Sequence, residues 1–241
     1  EGQRIKRRGI YLWPNLITTA ALLSGFYSII SSMDGQFIHA IYAIFLAALF
    51  DGLDGRVARA IGAQSAFGEQ FDSLSDLIAF GLAPAILMYS WSLHGLGRIG
   101  LACCFVYTAC AEFRLARFNV QIGVVDKRYF IGVASPLAAI LVICLVWVSR
   151  DYSHVFNVKE LSTQISYAIF MVVVGLLMIS NMKYYSFKQM DRKRVPFVVM
   201  LPVVLILAAM TYNIPVGILV VASIYALSGI VTTFLARKKV T

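Results

Sequence analysis

The 241 residues are 60% hydrophobic and only 14% charged, with a formal net charge of +9. Water-soluble domains carry about 25% charged residues, so this composition excludes a soluble globular fold. The basic residues lie between apolar segments rather than on an aromatic-interleaved face, which argues against nucleic acid as a partner. Apolar segments follow one another without a linker, and we therefore predict one membrane domain spanning residues 1–241.

The apolar segments predict an all-α fold, a bundle of about eight transmembrane helices. A helix needs roughly 20 apolar residues to cross a hydrocarbon core of about 30 Å. The predicted spans are 13–33, 36–60, 67–91, 95–118, 132–149, 161–181, 195–211 and 214–236. The basic segment 1–11 is predicted to be a short helix along the membrane interface.

Basic residues predict the orientation, because cytoplasmic loops are enriched in Lys and Arg. With the N-terminus inside, all of the 21 basic residues except Arg98, Arg150 and Lys159 fall on the cytoplasmic side. Both termini are then cytoplasmic. We expect an integral protein of a bacterial inner (cytoplasmic) membrane, in contact with membrane lipids and with its active site towards the cytoplasmic face.

Five of the twelve acidic residues fall between Asp51 and Asp76. A charged side chain within a membrane segment costs about 2.5–3.5 kcal/mol on insertion scales, so such carboxylates usually mark function. Asp51 and Asp54 are three apart on the second span, and Asp72 and Asp76 are four apart on the third, so each pair shares a helix face. If the two helices are antiparallel neighbours joined around Gly62, the four carboxylates converge.

Four converging carboxylates predict a metal site. Oxygen ligands suit hard cations such as Mg²⁺, Mn²⁺ or Ca²⁺, and two divalent ions would balance four carboxylates. Their open positions would hold a pyrophosphate. Nearby glycines would leave room for a phosphate, and nearby arginines would attract it. Alternatively, the glycines serve helix packing and the arginines are topology anchors.

Residues 51–76 read DGLDGRVARAIGAQSAFGEQFDSLSD and fit D-x2-D-G-x2-A-R-x8-G-x3-D-x3-D at every fixed position. This pattern resembles the signature of the CDP-alcohol phosphotransferase family. The resemblance implies that Asp51, Asp54 and Asp72 are metal ligands, and that Asp76 faces a second metal and acts as general base. It further implies that four other positions shape the cytidine-diphosphate pocket: Gly55, Ala58, Arg59 and Gly68.

The segments PNLITT (14–19), 67–85 and FRLARFN (113–119) look like the branch of this family that uses L-serine. The implied reaction transfers the phosphatidyl group of CDP-diacylglycerol to L-serine and releases CMP, with Mg²⁺ or Mn²⁺ as cofactor, in a homodimer. The resemblance assigns Asn15 and Thr18 to the nucleotide side. Arg114 and Arg117 would hold the lipid phosphate or the serine carboxylate, or would be anchors at the inner membrane edge.

Three alternatives stay open from the sequence. Another acceptor, such as glycerol 3-phosphate, inositol phosphate or choline, would make the chain a different member of the family, for example a phosphatidylglycerol phosphate or phosphatidylinositol phosphate synthase. The acids could instead form an ion site in a cation-coupled transporter. A non-catalytic scaffold would bind CDP-lipid without releasing CMP.

Overall fold

A computed structural model of the chain describes residues 12–121, 129–185 and 213–237. The α-helices are α1 Leu12–Met33, α2 Phe37–Ala60, α3 Ala66–Asp76, α4 Ala83–Trp91, α5 Arg98–Gln121, α6 Ser135–Asp151, α7 Leu161–Ile179 and α8 Ile214–Arg237. A π-helical turn, Leu77–Leu82, joins α3 to α4, and a 3₁₀ turn, Leu93–Leu96, precedes α5. Two short antiparallel strands, β1 Tyr129–Ile131 and β2 Lys183–Tyr185, pair with Tyr129 opposite Tyr185.

The helical prediction is confirmed, with the short β1–β2 ribbon as an addition. Within the described residues, five helical stretches are long and apolar enough to cross a membrane, and Ile214–Leu227 is a shorter apolar helix. The five are Leu12–Met33, Phe37–Ala60, Ala66–Trp91, Arg98–Val120 and Leu161–Ile179. The protein is therefore an integral membrane protein. The predicted span 195–211 and the predicted interfacial segment 1–11 lie outside the described residues.

The third span differs from the uninterrupted helix that the sequence predicted. Pro84 has no backbone N–H and cannot donate to the carbonyl of Phe80 four residues earlier. The chain forms a π-helical turn directly before this proline, at Leu77–Leu82. The hydroxyl of Tyr107 on α5 donates to the Phe80 carbonyl at 2.9 Å, and that of Thr108 donates to the Gly81 carbonyl at 3.2 Å. Side chains of α5 thus bond carbonyls of the turn that directly follows Asp76.

Small residues let the helices approach closely around this turn. A Cβ on Gly25 of α1 would lie 2.8 Å from the Cα of Ala79, which leaves no room for a larger residue. Helix α6 lies at the centre of the bundle, with fully buried residues that include Val142, Ile143 and Cys144. All three belong to the main hydrophobic core.

Hydrogen bonds between helix ends sort the connections into two ends of the bundle. At one end, Arg114 of α5 donates to Ser135 at the start of α6, and Arg117 donates to the Ile179 carbonyl at the end of α7. At the other end, Ser92 donates to the Val158 carbonyl. We call the end with Arg114 and Arg117 the site end, because it also contains the α2–α3 connection. We call the end with Ser92 the far end.

Candidate metal and nucleotide site

The α2–α3 connection turns the chain back at the site end. Gly62 has φ +64°, a conformation that favours glycine, and the Ala63 N–H donates to the Ala58 carbonyl at 2.9 Å. This is the hydrogen bond of a Schellman ending. Ser65 then caps α3, since its hydroxyl accepts from the Gly68 N–H at 3.0 Å. The turn and the cap together fix how the acidic stretch of α3 returns beside that of α2.

Three carboxylates from the two helices meet at the site end. Carboxylate oxygens of Asp51, Asp72 and Asp76 all lie within 4.8 Å of one another, and all three side chains are half-buried. Oxygen donors at such spacing fit a hard divalent cation, because they supply negative charge and no soft ligand. The predicted convergence of the α2 and α3 acids is therefore observed, and these three residues form what we call the carboxylate cluster.

Asp54, the fourth predicted acid, is almost fully buried and touches the cluster from one side. Thr18 Oγ1 donates to its Oδ2 at 2.7 Å, and its carboxyl lies within hydrogen-bonding reach of Asp72. The partner on α1 is explained by the packing, because α1 lies against both α2 and α3. Sequence reasoning placed Thr18 on the nucleotide side but did not predict that it would hold Asp54.

A cavity of about 180 Å³ opens beside Asp54 and Asp72. Its lining includes every residue that the family resemblance assigned to the nucleotide: Asn15, Thr18, Gly55, Ala58, Arg59 and Gly68. The glycines keep it open, since a Cβ on Gly68 would lie 3.1 Å from Ser65 Oγ and 3.5 Å from Asn15 Oδ1. The guanidinium of Arg59 folds back over Gly55, 3.5 Å from where a Cβ would stand, and so brings positive charge to the cavity.

Arg114 lies on another side of the carboxylate cluster and does not line this cavity. It interacts electrostatically with Asp76 and Asp51. Its Nη1 donates to Ser135 Oγ at 2.6 Å, while its buried Nε has no hydrogen-bond partner among the described residues. A buried donor without a partner is costly, so this guanidinium is suited to an anionic group bound next to Asp76.

Arg117, predicted together with Arg114, has a different environment. Its guanidinium donates to the carbonyls of Ile179 and Ser180 and to the side chain of Asn181. It therefore ties the end of α7 to α5. A role for Arg117 in substrate binding stays a prediction.

Several residues at the site were not predicted from the sequence. Ser135 supports Arg114, and Asn119 accepts from Ser73 and donates to Gln70, which ties α3 to the end of α5. The cavity lining also includes residues from the start of α1 and from the α2–α3 connection: Pro14, Ala63, Gln64, Ser65 and Glu69. Ser65 carried a recognisable signal, since a serine before a helical segment is a typical N-cap, and Glu69 is one of the five acids that the sequence places between Asp51 and Asp76.

Known proteins resemble this chain over most of its length. The family described as CDP-alcohol phosphatidyltransferase matches residues 11–235. A CDP-diacylglycerol–serine O-phosphatidyltransferase of Helicobacter pylori (strain ATCC 700392 / 26695) is 39% identical over 180 residues, 75% of this chain and 74% of the relative. The protein of that name from Bacillus subtilis (strain 168) is 32% identical over 73% of this chain and 91% of its own length.

An archaeal relative extends the comparison. The archaetidylserine synthase of Methanothermobacter thermautotrophicus is 36% identical over 173 residues, 71% of this chain and 68% of the relative. The family match covers nearly the whole chain and includes both the carboxylate cluster and the cavity. This chain belongs to the CDP-alcohol phosphatidyltransferase family.

Proposed function

We propose that this protein is a phosphatidylserine synthase, which transfers the phosphatidyl group of CDP-diacylglycerol to the hydroxyl of L-serine and releases CMP. The observation that carries the proposal is the shared wall of two sites: Asp54 and Asp72 line the cavity, and Asp72 also belongs to the carboxylate cluster. A nucleotide in the cavity would thus present its phosphates to the cluster. The bacterial relatives named above, called serine O-phosphatidyltransferases, support L-serine as acceptor.

The nucleotide end of the substrate would occupy the cavity. Asn15 and Thr18 supply polar groups from α1, and Arg59 supplies positive charge for a phosphate. Gly55, Ala58 and Gly68 leave the room that a bound ring needs. The lipid end would extend from the site end into the surrounding bilayer, since the helices that form the site are candidate membrane spans.

The carboxylates would hold divalent metal. Asp51, Asp72 and Asp76 are the proposed ligands together with Asp54, and Mg²⁺ or Mn²⁺, as two ions, fits a set of oxygen donors. Bound metal would neutralise the pyrophosphate and the leaving CMP. Thr18 keeps the Asp54 carboxyl oriented.

The acceptor would bind between Arg114 and Asp76. The unpartnered Nε of Arg114 and its proximity to Asp76 suit the serine carboxylate. Held there, serine would direct its hydroxyl to the Asp76 carboxylate, which we propose as the general base. The hydroxyl oxygen then bonds to the phosphorus of the phosphatidyl group, the bond to the CMP oxygen breaks, and the proton passes to Asp76.

We propose a bundle of eight spans with both termini in the cytoplasm of a bacterium, and a homodimer as the assembly. Ser92–Val158 marks the far end, and Asn213, which precedes α8, donates to the Tyr152 hydroxyl beside that end. Helix α7 instead ends at the site end, and the span at 195–211 stays a prediction. Cysteines introduced at 92–97 and 150–159 should react only with reagents outside the cell, and cytoplasmic labelling would refute this orientation.

An acceptor panel tests the proposal. Purified protein with CDP-diacylglycerol and Mg²⁺ or Mn²⁺ is given L-serine, glycerol 3-phosphate, inositol phosphate or choline, and the lipid headgroups are analysed. Phosphatidylserine is the expected product. A phosphatidylglycerol phosphate or phosphatidylinositol phosphate product without phosphatidylserine would refute serine as acceptor and leave the family intact.

A further inference from the structure

A second and larger cavity, of about 490 Å³, lies at the far end of the bundle between the start of α2 and the end of α6. Its lining includes Gln36, His39 and Tyr42 from the α2 side and Trp147 and Arg150 from α6. It has no residue in common with the cavity beside Asp54. We call it the far-end cavity.

The far-end cavity is separated from the carboxylate cluster by most of the length of α2. His39 and Asp51 are twelve residues apart on this helix, which at 1.5 Å per residue is about 18 Å along its axis. A ligand here would not reach the carboxylate cluster. In a bilayer this cavity belongs to the leaflet opposite to that cluster.

The charge of the lining favours an anion. Arg150 supplies the positive charge of the lining and His39 an imidazole that can hydrogen-bond, whereas the neighbouring acids Asp34 and Asp151 do not line the cavity. Arg150 forms an ion pair with Asp151, with Nη1 3.7 Å from Oδ1, but this distance is too long for a hydrogen bond, and about half of the arginine side chain is exposed. The guanidinium therefore keeps donors available, and its planar fork suits a phosphate group.

The aromatic residues and the adjoining helix face favour a lipid over a free anion. Tyr42 and Trp147 pack edge to face with ring centroids 5.3 Å apart, and such rings are typical of the membrane interface. Tyr42 is half exposed and begins a row of exposed side chains on α2 that continues with Leu46 and Leu49. This row offers an apolar track for an acyl chain directly below the cationic lining.

From these contacts we infer that the far-end cavity binds an anionic phospholipid of the opposite leaflet. Its phosphate would lie against Arg150 and His39, its glycerol region against Tyr42 and Trp147, and one acyl chain along α2. This lipid site lies apart from the carboxylate cluster and takes no part in the proposed reaction.

The experiment uses the fluorescence of Trp147. The chain has three tryptophans, so Trp13→Phe and Trp91→Phe leave Trp147 as the reporter. The full-length protein is placed in bilayers of phosphatidylcholine and phosphatidylglycerol in which one or the other lipid carries bromine, a quencher, on its acyl chains. The dependence of quenching on composition gives the relative affinity of the two lipids at Trp147.

Phosphatidylglycerol should be preferred at Trp147 by about fivefold, the preference expected of one near-surface cation. Arg150→Gln should reduce this preference to about one, while Arg98→Gln, which removes an exposed arginine at the same end, should retain it. A preference near one in the parent protein, or an equal loss in both variants, would overturn the inference. Native mass spectrometry with equimolar lipids, compared between the parent protein and Arg150→Gln, checks this preference without replacing any tryptophan.

Discussion

Thr18 Oγ1 donates a 2.7 Å hydrogen bond to Asp54 Oδ2. This bond connects α1 to Asp54, the acid that lies between the cavity and the carboxylate cluster. We expect Thr18→Val to keep the side-chain shape and leave the Asp54 carboxyl without this donor. A hydrogen bond to a charged group contributes about 1.5–3 kcal/mol, so kcat/KM for CDP-diacylglycerol should fall by about 10- to 100-fold. Steady-state kinetics at saturating serine measure this change.

Thr19→Val is the matched control for that variant. The Thr19 hydroxyl is exposed and bonds the Asn15 carbonyl of its own helix, so its loss should change kcat/KM by less than about twofold. Equal effects of the two replacements would mean that the Thr18–Asp54 bond does not act on the site.

Asp76→Asn should abolish the proposed base while keeping the size of the side chain. Turnover should fall by at least about 100-fold, because positioned general bases contribute about 10²–10⁴-fold. Binding of CDP-diacylglycerol should change far less, since the cavity is lined by other residues. Single-turnover CMP release and equilibrium nucleotide binding separate the two effects.

Asp51→Asn is the comparison for Asp76→Asn, because it removes a proposed metal ligand. It should raise the metal concentration needed for half-maximal activity. If Asp76→Asn retains near-normal turnover across the pH range, the base must be another group, and Glu69, which lines the cavity, is the first to test.

Arg114→Gln distinguishes the two anions that this residue could hold. If it binds the serine carboxylate, KM for L-serine should rise by about 10- to 100-fold, as expected for a lost charge-assisted hydrogen bond, and KM for CDP-diacylglycerol should change little. Arg114→Lys, which keeps the charge, should have a KM for L-serine between those of the parent protein and Arg114→Gln. A rise confined to the KM of CDP-diacylglycerol would assign Arg114 to the lipid phosphate.

Tyr107→Phe tests the support of the π-helical turn. The change leaves the buried carbonyl of Phe80 without its 2.9 Å donor, and an unsatisfied buried acceptor should lower the free energy of unfolding by about 1–3 kcal/mol. Thermal unfolding in detergent measures the difference. Tyr27→Phe, at a half-exposed tyrosine on α1, is the control, and equal stability of the two variants would contradict the assigned role.

Much of the bundle followed from the sequence because membrane spans need long apolar stretches. The predicted span 36–60 is α2, Phe37–Ala60, and the predicted span 161–181 is α7, Leu161–Ile179. The break in the third span was not predicted. Hydropathy does not register the missing N–H of Pro84, nor the hydrogen bonds that Tyr107 and Thr108 donate from α5 to the carbonyls of the turn.

The candidate site was likewise predicted only in part. Spacing placed Asp51 with Asp54, and Asp72 with Asp76, on one helix face each, and the two pairs were expected to meet if the helices were antiparallel neighbours joined around Gly62. The contacts of Thr18 with Asp54 and of Ser135 with Arg114 were not predicted, since the spacing within the acidic motif does not show which residues of α1 or α6 pack against it. Motif spacing cannot specify such pairs, which depend on how the helices pack.

The most direct test is to follow CMP and phosphatidylserine together, using purified protein, CDP-diacylglycerol, L-serine and Mg²⁺ or Mn²⁺. We expect equal amounts of the two products, no CMP release beyond background without serine, loss of both products with a chelator, and loss of both in Asp76→Asn. CMP release that does not depend on serine, or no CMP release under any metal condition, would contradict it. The second result is the one expected of a transporter or a non-catalytic binding scaffold.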